Sequence, residues 1–180
     1  MTENINEPVL IERARKDYRA GKFEKAAEGF SQAAYSYQTK GESLLAAEMK
    51  NNQSVALLKA KKPQLALDAV QGTDILFREE GERIKEGMAL ANRATALQDL
   101  GKKQEAIEDF NQAADLFKAG GEKDMYLQTM QSISALKLRS RNIPGALFSM
   151  QEGLEELDKP NLRQKLLRNL LKIPQNFIER

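Results

Sequence analysis

The chain has 180 residues, 41% of them hydrophobic, with 28 Lys and Arg against 26 Asp and Glu and neither Cys nor His. Without a thiol or an imidazole it has no disulfide, thiolate nucleophile or zinc knuckle, and it lacks the commonest general base, so the composition predicts no enzyme, no cofactor and no metal. A net charge of +2 gives no whole-chain footprint for nucleic acid, and with no basic leader before an apolar run we expect a cytoplasmic protein.

Residues 1–7 read as a flexible N-terminus. A first helix follows, marked by Leu10 and Ala14, then a break at Gly21 and Lys22, and a second helix carrying Ala26, Phe30, Ala33, Ala34 and Tyr37 at helical spacing. Gly41 and Glu42 close this unit, about 8–41. The next, about 42–81, repeats the plan with Ser54 and Leu57, a break at Lys61, Lys62 and Pro63, and a second helix with Ala66, Val70 and Thr73. The third, about 82–121, has Leu90, Ala94 and Leu97, then Gly101, then Ala106, Phe110, Ala113, Ala114 and Phe117. The fourth, about 122–159, has Met130 and Ser134, a break at Asn142 to Pro144, then Ala146, Met150 and Gly153.

The period is 40 residues, read from Ala26, Ala66, Ala106 and Ala146 and again from Gly41, Gly81 and Gly121. A fixed period of this size means stacked helical hairpins, two helices and two breaks in each. Small residues at Ala14, Ser54, Ala94 and Ser134 mark the closest helix crossings. Pro63 and Pro144 fall in the first turn of a second helix, where a missing amide hydrogen is tolerated. Glu42, Glu82 and Glu122 sit one period apart at helix starts, which helix-dipole stabilisation explains without catalysis.

Residues 160–174 leave the period. Asn161 precedes an amphipathic stripe of Leu162, Leu166, Leu167, Leu170, Leu171 and Ile173, with Arg163, Lys165, Arg168 and Lys172 on other faces. A stacked array exposes an apolar face at its end, so we expect this helix to cap it; membrane contact through the same basic stripe is the less favoured reading. Residues 175–180 read as a tail.

The small-residue and aromatic order Ala14, Gly21, Ala26, Phe30, Ala33, and again Ala94, Gly101, Ala106, Phe110, Ala113, resembles the tetratricopeptide repeat over roughly residues 9–158. The second and fourth units depart from it: Val70 and Met150 stand for the aromatic, and Lys61 and Arg141 for the turn glycine. The 40-residue period is similar to the long-repeat variety of kinesin light chains, soluble fusion-attachment proteins and G-protein-regulator scaffolds. The resemblance implies an all-α, right-handed α-solenoid of four hairpins plus the C-terminal helix, whose first helices line a concave groove for a partner peptide or helix.

At the positions of the two-carboxylate clamp that some such domains use for a chaperone tail, this chain has Ile11 and Arg15, then Asn52, then Met88 and Asn92; only Asn52 agrees. The other inward-facing candidates are Tyr18, Arg19, Asn51, Val55, Lys59, Thr95, Asp99, Gln128, Gln131 and Arg139. Side-chain amides beside cations suit an extended backbone or acidic side chains, although Asn52 and Asn92 are equally suited to pinning neighbouring hairpins. The function expected is a non-catalytic protein-binding module, with self-assembly as a homo-oligomer the alternative.

Overall fold

The computed structural model describes residues 6–171, and these form ten helices and no strand. They are α1 (Glu7–Arg19), α2 (Phe23–Thr39), α3 (Ser43–Lys59), α4 (Pro63–Val70), α5 (Thr73–Glu79), α6 (Arg83–Asp99), α7 (Lys103–Ala119), α8 (Lys123–Arg139), α9 (Ile143–Glu155) and α10 (Leu162–Leu171). Two compact units divide the chain, residues 1–106 and residues 107–180.

One backbone device produces the helical hairpins. At the end of α1 the amide of Gly21 donates to Tyr18 O at 3.0 Å and that of Lys22 to Asp17 O at 2.9 Å, a Schellman closure with Gly21 at φ 74°. The same pair of bonds recurs at Gly41 with Glu42, at Lys61 with Lys62, at Gly81 with Glu82, at Gly101 with Lys102, at Gly121 with Glu122 and at Arg141 with Asn142. The two glycine series read from the sequence are therefore a single series with a spacing of 20: a helix of 17 residues, as in α2, α3, α6, α7 and α8, and a three-residue turn. Where glycine is missing the geometry persists, with Lys61 at φ 60° and Arg141 at φ 61°.

In the first unit the hairpins close through small residues. Ala14 on α1 lies so near Gly29 on α2 that a β-carbon there would stand 2.9 Å from Ala14 Cβ. Ala14, Ala26, Phe30, Ala33, Met49, Ala56, Leu57 and Ala66 share one buried core, and Ala47, Val70, Phe77 and Ala89 a second. The second helix of the second repeat, expected as one piece, is broken between α4 and α5. Gly72 takes φ 77° and Thr73 Oγ1 donates to Val70 O at 2.8 Å, so glycine followed by a hydroxyl residue interrupts the helix.

α5 is tied to α6 by charge. Glu86, buried, accepts from Arg78 Nε at 2.7 Å and from Arg83 Nη1 at 3.2 Å, while Arg93 meets the buried Asp74 at 2.9 Å. α1 is anchored at its start. Asn6 caps it, and Glu7, which belongs to the helix rather than to the preceding stretch, is buried against Ser36 of α2 and lies 2.5 Å from Lys40 Nζ. Those two partners hold its carboxyl down at about 2, with the lysine contact the larger cause.

In the second unit α8 and α9 form a tight hairpin. A β-carbon on Gly153 would stand 2.9 Å from Met130 Cβ, and Ser134 Oγ donates to Ala146 O at 2.7 Å. Ile133, Leu136 and Leu154 are fully buried. A capping box opens α10, with Gln164 N donating to Asn161 Oδ1 and Asn161 N to Gln164 Oε1. α10 touches α9 but buries none of its residues. The leucine stripe expected to cover the end of the array is thus open over 162–171; Lys172, Ile173, Pro174 and the tail at 175–180, like residues 1–5, lie outside the described residues.

Candidate functional site

The sequence-derived groove residues separate into three groups. Arg15 and Arg19 on α1 and Asn52 on α3 come together around a cavity of about 300 Å³, which Tyr18, Val55 and Phe30 complete. The spacing explains this: residues 15, 18 and 19 lie on one helical face, as do 52 and 55. Phe30 reaches the same place from α2 and is buried at the cavity floor. The resulting groove has an aromatic and aliphatic lining, two guanidinium groups, one amide and no acidic residue in its wall.

Arg19 Nη2 donates to Glu12 Oε1 at 2.8 Å, and both side chains are well exposed, so the pair lies in water and holds the guanidinium only loosely. Tyr18 stacks edge-on against Phe23 with centroids 5.3 Å apart, which fixes its ring. A second cavity of about 320 Å³, also on the first hairpin, differs in character: its lining includes Arg13 and Lys25 but also Asp17 and Glu28, and those charges cancel.

The second group is structural. Asn92 Nδ2 on α6 donates to Asn51 Oδ1 on α3 at 2.8 Å, and Asn51 is only 6% exposed. This pair pins adjacent repeats, an amide ladder one period long. The third group is not part of the cavity lining. Lys59 is exposed one turn beyond Val55, and Gln128, Gln131 and Arg139 are exposed on α8 in the other unit. Among the described residues no group of three carboxylates gathers as a metal site requires.

Two contributors were not identified from the sequence as parts of a site. Phe30 was legible only as a repeat core residue, and the partner of Arg19 is Glu12, two turns away on the same helix. Spacing alone offers a signal for Glu12, since residues seven apart share a helical face; nothing short of the hairpin's packing places Phe30.

No helix of the described residues is long and apolar enough to cross a membrane. No curated protein matches the chain. Among solved structures it is similar to the tetratricopeptide-like repeats of a kinesin light chain from Podospora anserina, at 13% identity over 100% of both chains with a TM-score of 0.55, which supports the helical-repeat fold. The model of the soluble NSF attachment protein family matches residues 8–172. With that match running from the first helix through α10, the chain belongs to the soluble NSF attachment protein family.

Proposed function

We propose that the chain works by holding a protein partner, and that the α1–α2–α3 groove is where it does so. One observation carries this reading: the groove joins an apolar floor, Phe30 with Tyr18 and Val55, to Arg15, Arg19 and Asn52, with no acidic side chain lining it. A buried aromatic anchor with cations around it suits a helix or extended segment that offers apolar and acidic side chains together. The family's name, an attachment protein for NSF, is that of a holding role and agrees with this reading.

The partner's binding energy would come from the floor, and its selection from the cations. Exposed charges act mainly on association rate and specificity. Fluorescence anisotropy with a panel of labelled acidic amphipathic peptides tests the reading. Arg15→Glu combined with Arg19→Glu is expected to weaken the best binder by more than about tenfold, the effect falling at high salt. Asn51→Ala, which touches the structural amide pair, should lower stability more than affinity. Equal affinity of the wild type and the charge-reversed variant would overturn the groove assignment.

A further inference from the structure

α10 is inverted with respect to the usual packing of an amphipathic helix. Its half-buried residues are Gln164, Arg168 and Leu171, whereas Leu162, Leu166 and Leu170 are 83%, 61% and 56% exposed. Those three leucines, four residues apart, form one ridge along the helix, and Leu167 lies beside it. A contiguous apolar ridge presented to water is unusual for a chain without a partner on that face.

The charges around the ridge restrict what covers it. Over 162–171 there are three basic side chains, Arg163, Lys165 and Arg168, and no acidic one. A second copy of the same helix would bring like charges together, which argues against self-pairing here. Of the four acids on α9 and in the link to α10, Glu156 pairs with Lys118 at 2.9 Å and Asp158 with Lys123 at 2.6 Å, Glu155 accepts from Gln151 Nε2 at 2.8 Å, and Glu152 is half-buried on α9. The helix therefore presents a leucine ridge whose only charged companions on α10 itself are basic.

Arg163 separates a bilayer from a protein groove. On the helical wheel it falls between Leu170 and Leu167, inside the apolar arc. Seated in a protein groove, it would be desolvated and would need one fixed carboxylate. On a bilayer its aliphatic stem lies along the acyl boundary while the guanidinium rises to the headgroup phosphates. The outward orientation of the ridge, with the polar side turned to α9, is also the one that a helix lying flat in the interface requires.

We infer that α10 docks on an anionic membrane surface, lying in the interface through Leu162, Leu166, Leu167 and Leu170 with Arg163 and Lys165 at the headgroups. This is independent of the groove reading, since it uses different residues in the other unit. The contact is peripheral and reversible: ten residues make a helix about 15 Å long, too short to cross a bilayer.

The chain has no cysteine, so Leu166→Cys allows an environment-sensitive dye to be placed on the ridge of the full-length protein. Vesicles of phosphatidylcholine alone, and of phosphatidylcholine with phosphatidylserine, are then titrated, with co-sedimentation of the unlabelled protein in parallel. The expected result is a blue shift and co-sedimentation on the anionic vesicles only. Arg163→Glu with Lys165→Glu should weaken that binding by more than about tenfold. Leu162→Glu with Leu170→Glu should abolish it while leaving the melting temperature unchanged, because both leucines are exposed. Arg15→Glu with Arg19→Glu should leave it intact, which keeps failure of the groove and failure of the membrane site distinguishable. Three results would overturn the inference: a dye already in an apolar environment in the free protein, a shift with an acidic amphipathic peptide but not with vesicles, or equal binding to neutral and anionic vesicles.

Discussion

The turn positions show how much one φ angle costs. Lys61 and Arg141 adopt a left-handed conformation that side chains with a β-carbon resist, in turns otherwise built on glycine. Lys61→Gly and Arg141→Gly should each stabilise the protein by about 0.5–1 kcal/mol, the relieved strain being partly offset by the larger entropy of glycine in the unfolded chain. Chemical denaturation checks this; a lowered midpoint would mean that the lysine or arginine stem contributes packing that outweighs the strain. The two serines at helix crossings make a sharper contrast. Ser54 Oγ is buried and finds no hydrogen-bond partner among the described residues, whereas Ser134 Oγ donates to Ala146 O. Ser54→Ala should be neutral or stabilising by up to about 1 kcal/mol, and Ser134→Ala destabilising by about 0.5–1.5 kcal/mol, although the substitution is the same. Similar shifts of the two denaturation midpoints would contradict the packing described at these crossings.

At the scale of elements, α5 exists because of its neighbours. A seven-residue helix following a left-handed glycine is too short to be stable alone, so α5 depends on Phe77 in the core and on the Arg78 and Glu86 bridge to α6. Glu86 is buried while its arginine partners are about half exposed or more, which places the loss on breaking the pair below that of a fully buried ion pair. Glu86→Gln is expected to cost about 1–3 kcal/mol. Hydrogen exchange should show the loss concentrated in α5 and the start of α6; uniform acceleration across the first unit would indicate a global effect instead. Gly72 was present in the sequence as a residue inside a helical pattern, and such a residue is compatible with either a tolerated glycine or a break. Only the tertiary structure, in which Val70 and Phe77 on either side of the break are buried in one core, resolves that ambiguity.

For the whole molecule, one pH-dependent contribution to stability comes from the anchoring of α1. The Glu7 carboxyl is lowered from 4.5 to about 2 by Lys40 and Ser36. A depressed carboxyl contributes stability that is fully present above its unfolded value and is lost as pH falls through its folded value, so this contribution disappears between roughly pH 5 and pH 2. Glu7→Gln should therefore lower the melting temperature at neutral pH, and the difference from wild type should close on acidification. A gap that persisted at pH 2 would show that the charge is not what Glu7 supplies. With no histidine in the chain, the stability curve should have no imidazole inflection between pH 6 and 7.

The sequence by itself determined the helical-repeat architecture, because a period, a small residue at each crossing and a turn glycine are local requirements that every hairpin repeats. It determined part of the candidate groove for the same reason: Arg15, Tyr18, Arg19, Asn52 and Val55 share faces that the repeat register fixes. Tertiary structure alone decided which polar residues are free and which are engaged. Asn51 and Asn92 lie 41 positions apart, and their mutual hydrogen bond is a property of stacking rather than of either helix. It also decided the orientation of α10: a helical wheel defines an apolar stripe, but which side meets α9 depends on the shape of the surface it lands on. The break at Gly72 and the burial of Phe30 beneath the groove belong to this second class, since each follows from contacts between segments that local patterns do not encode.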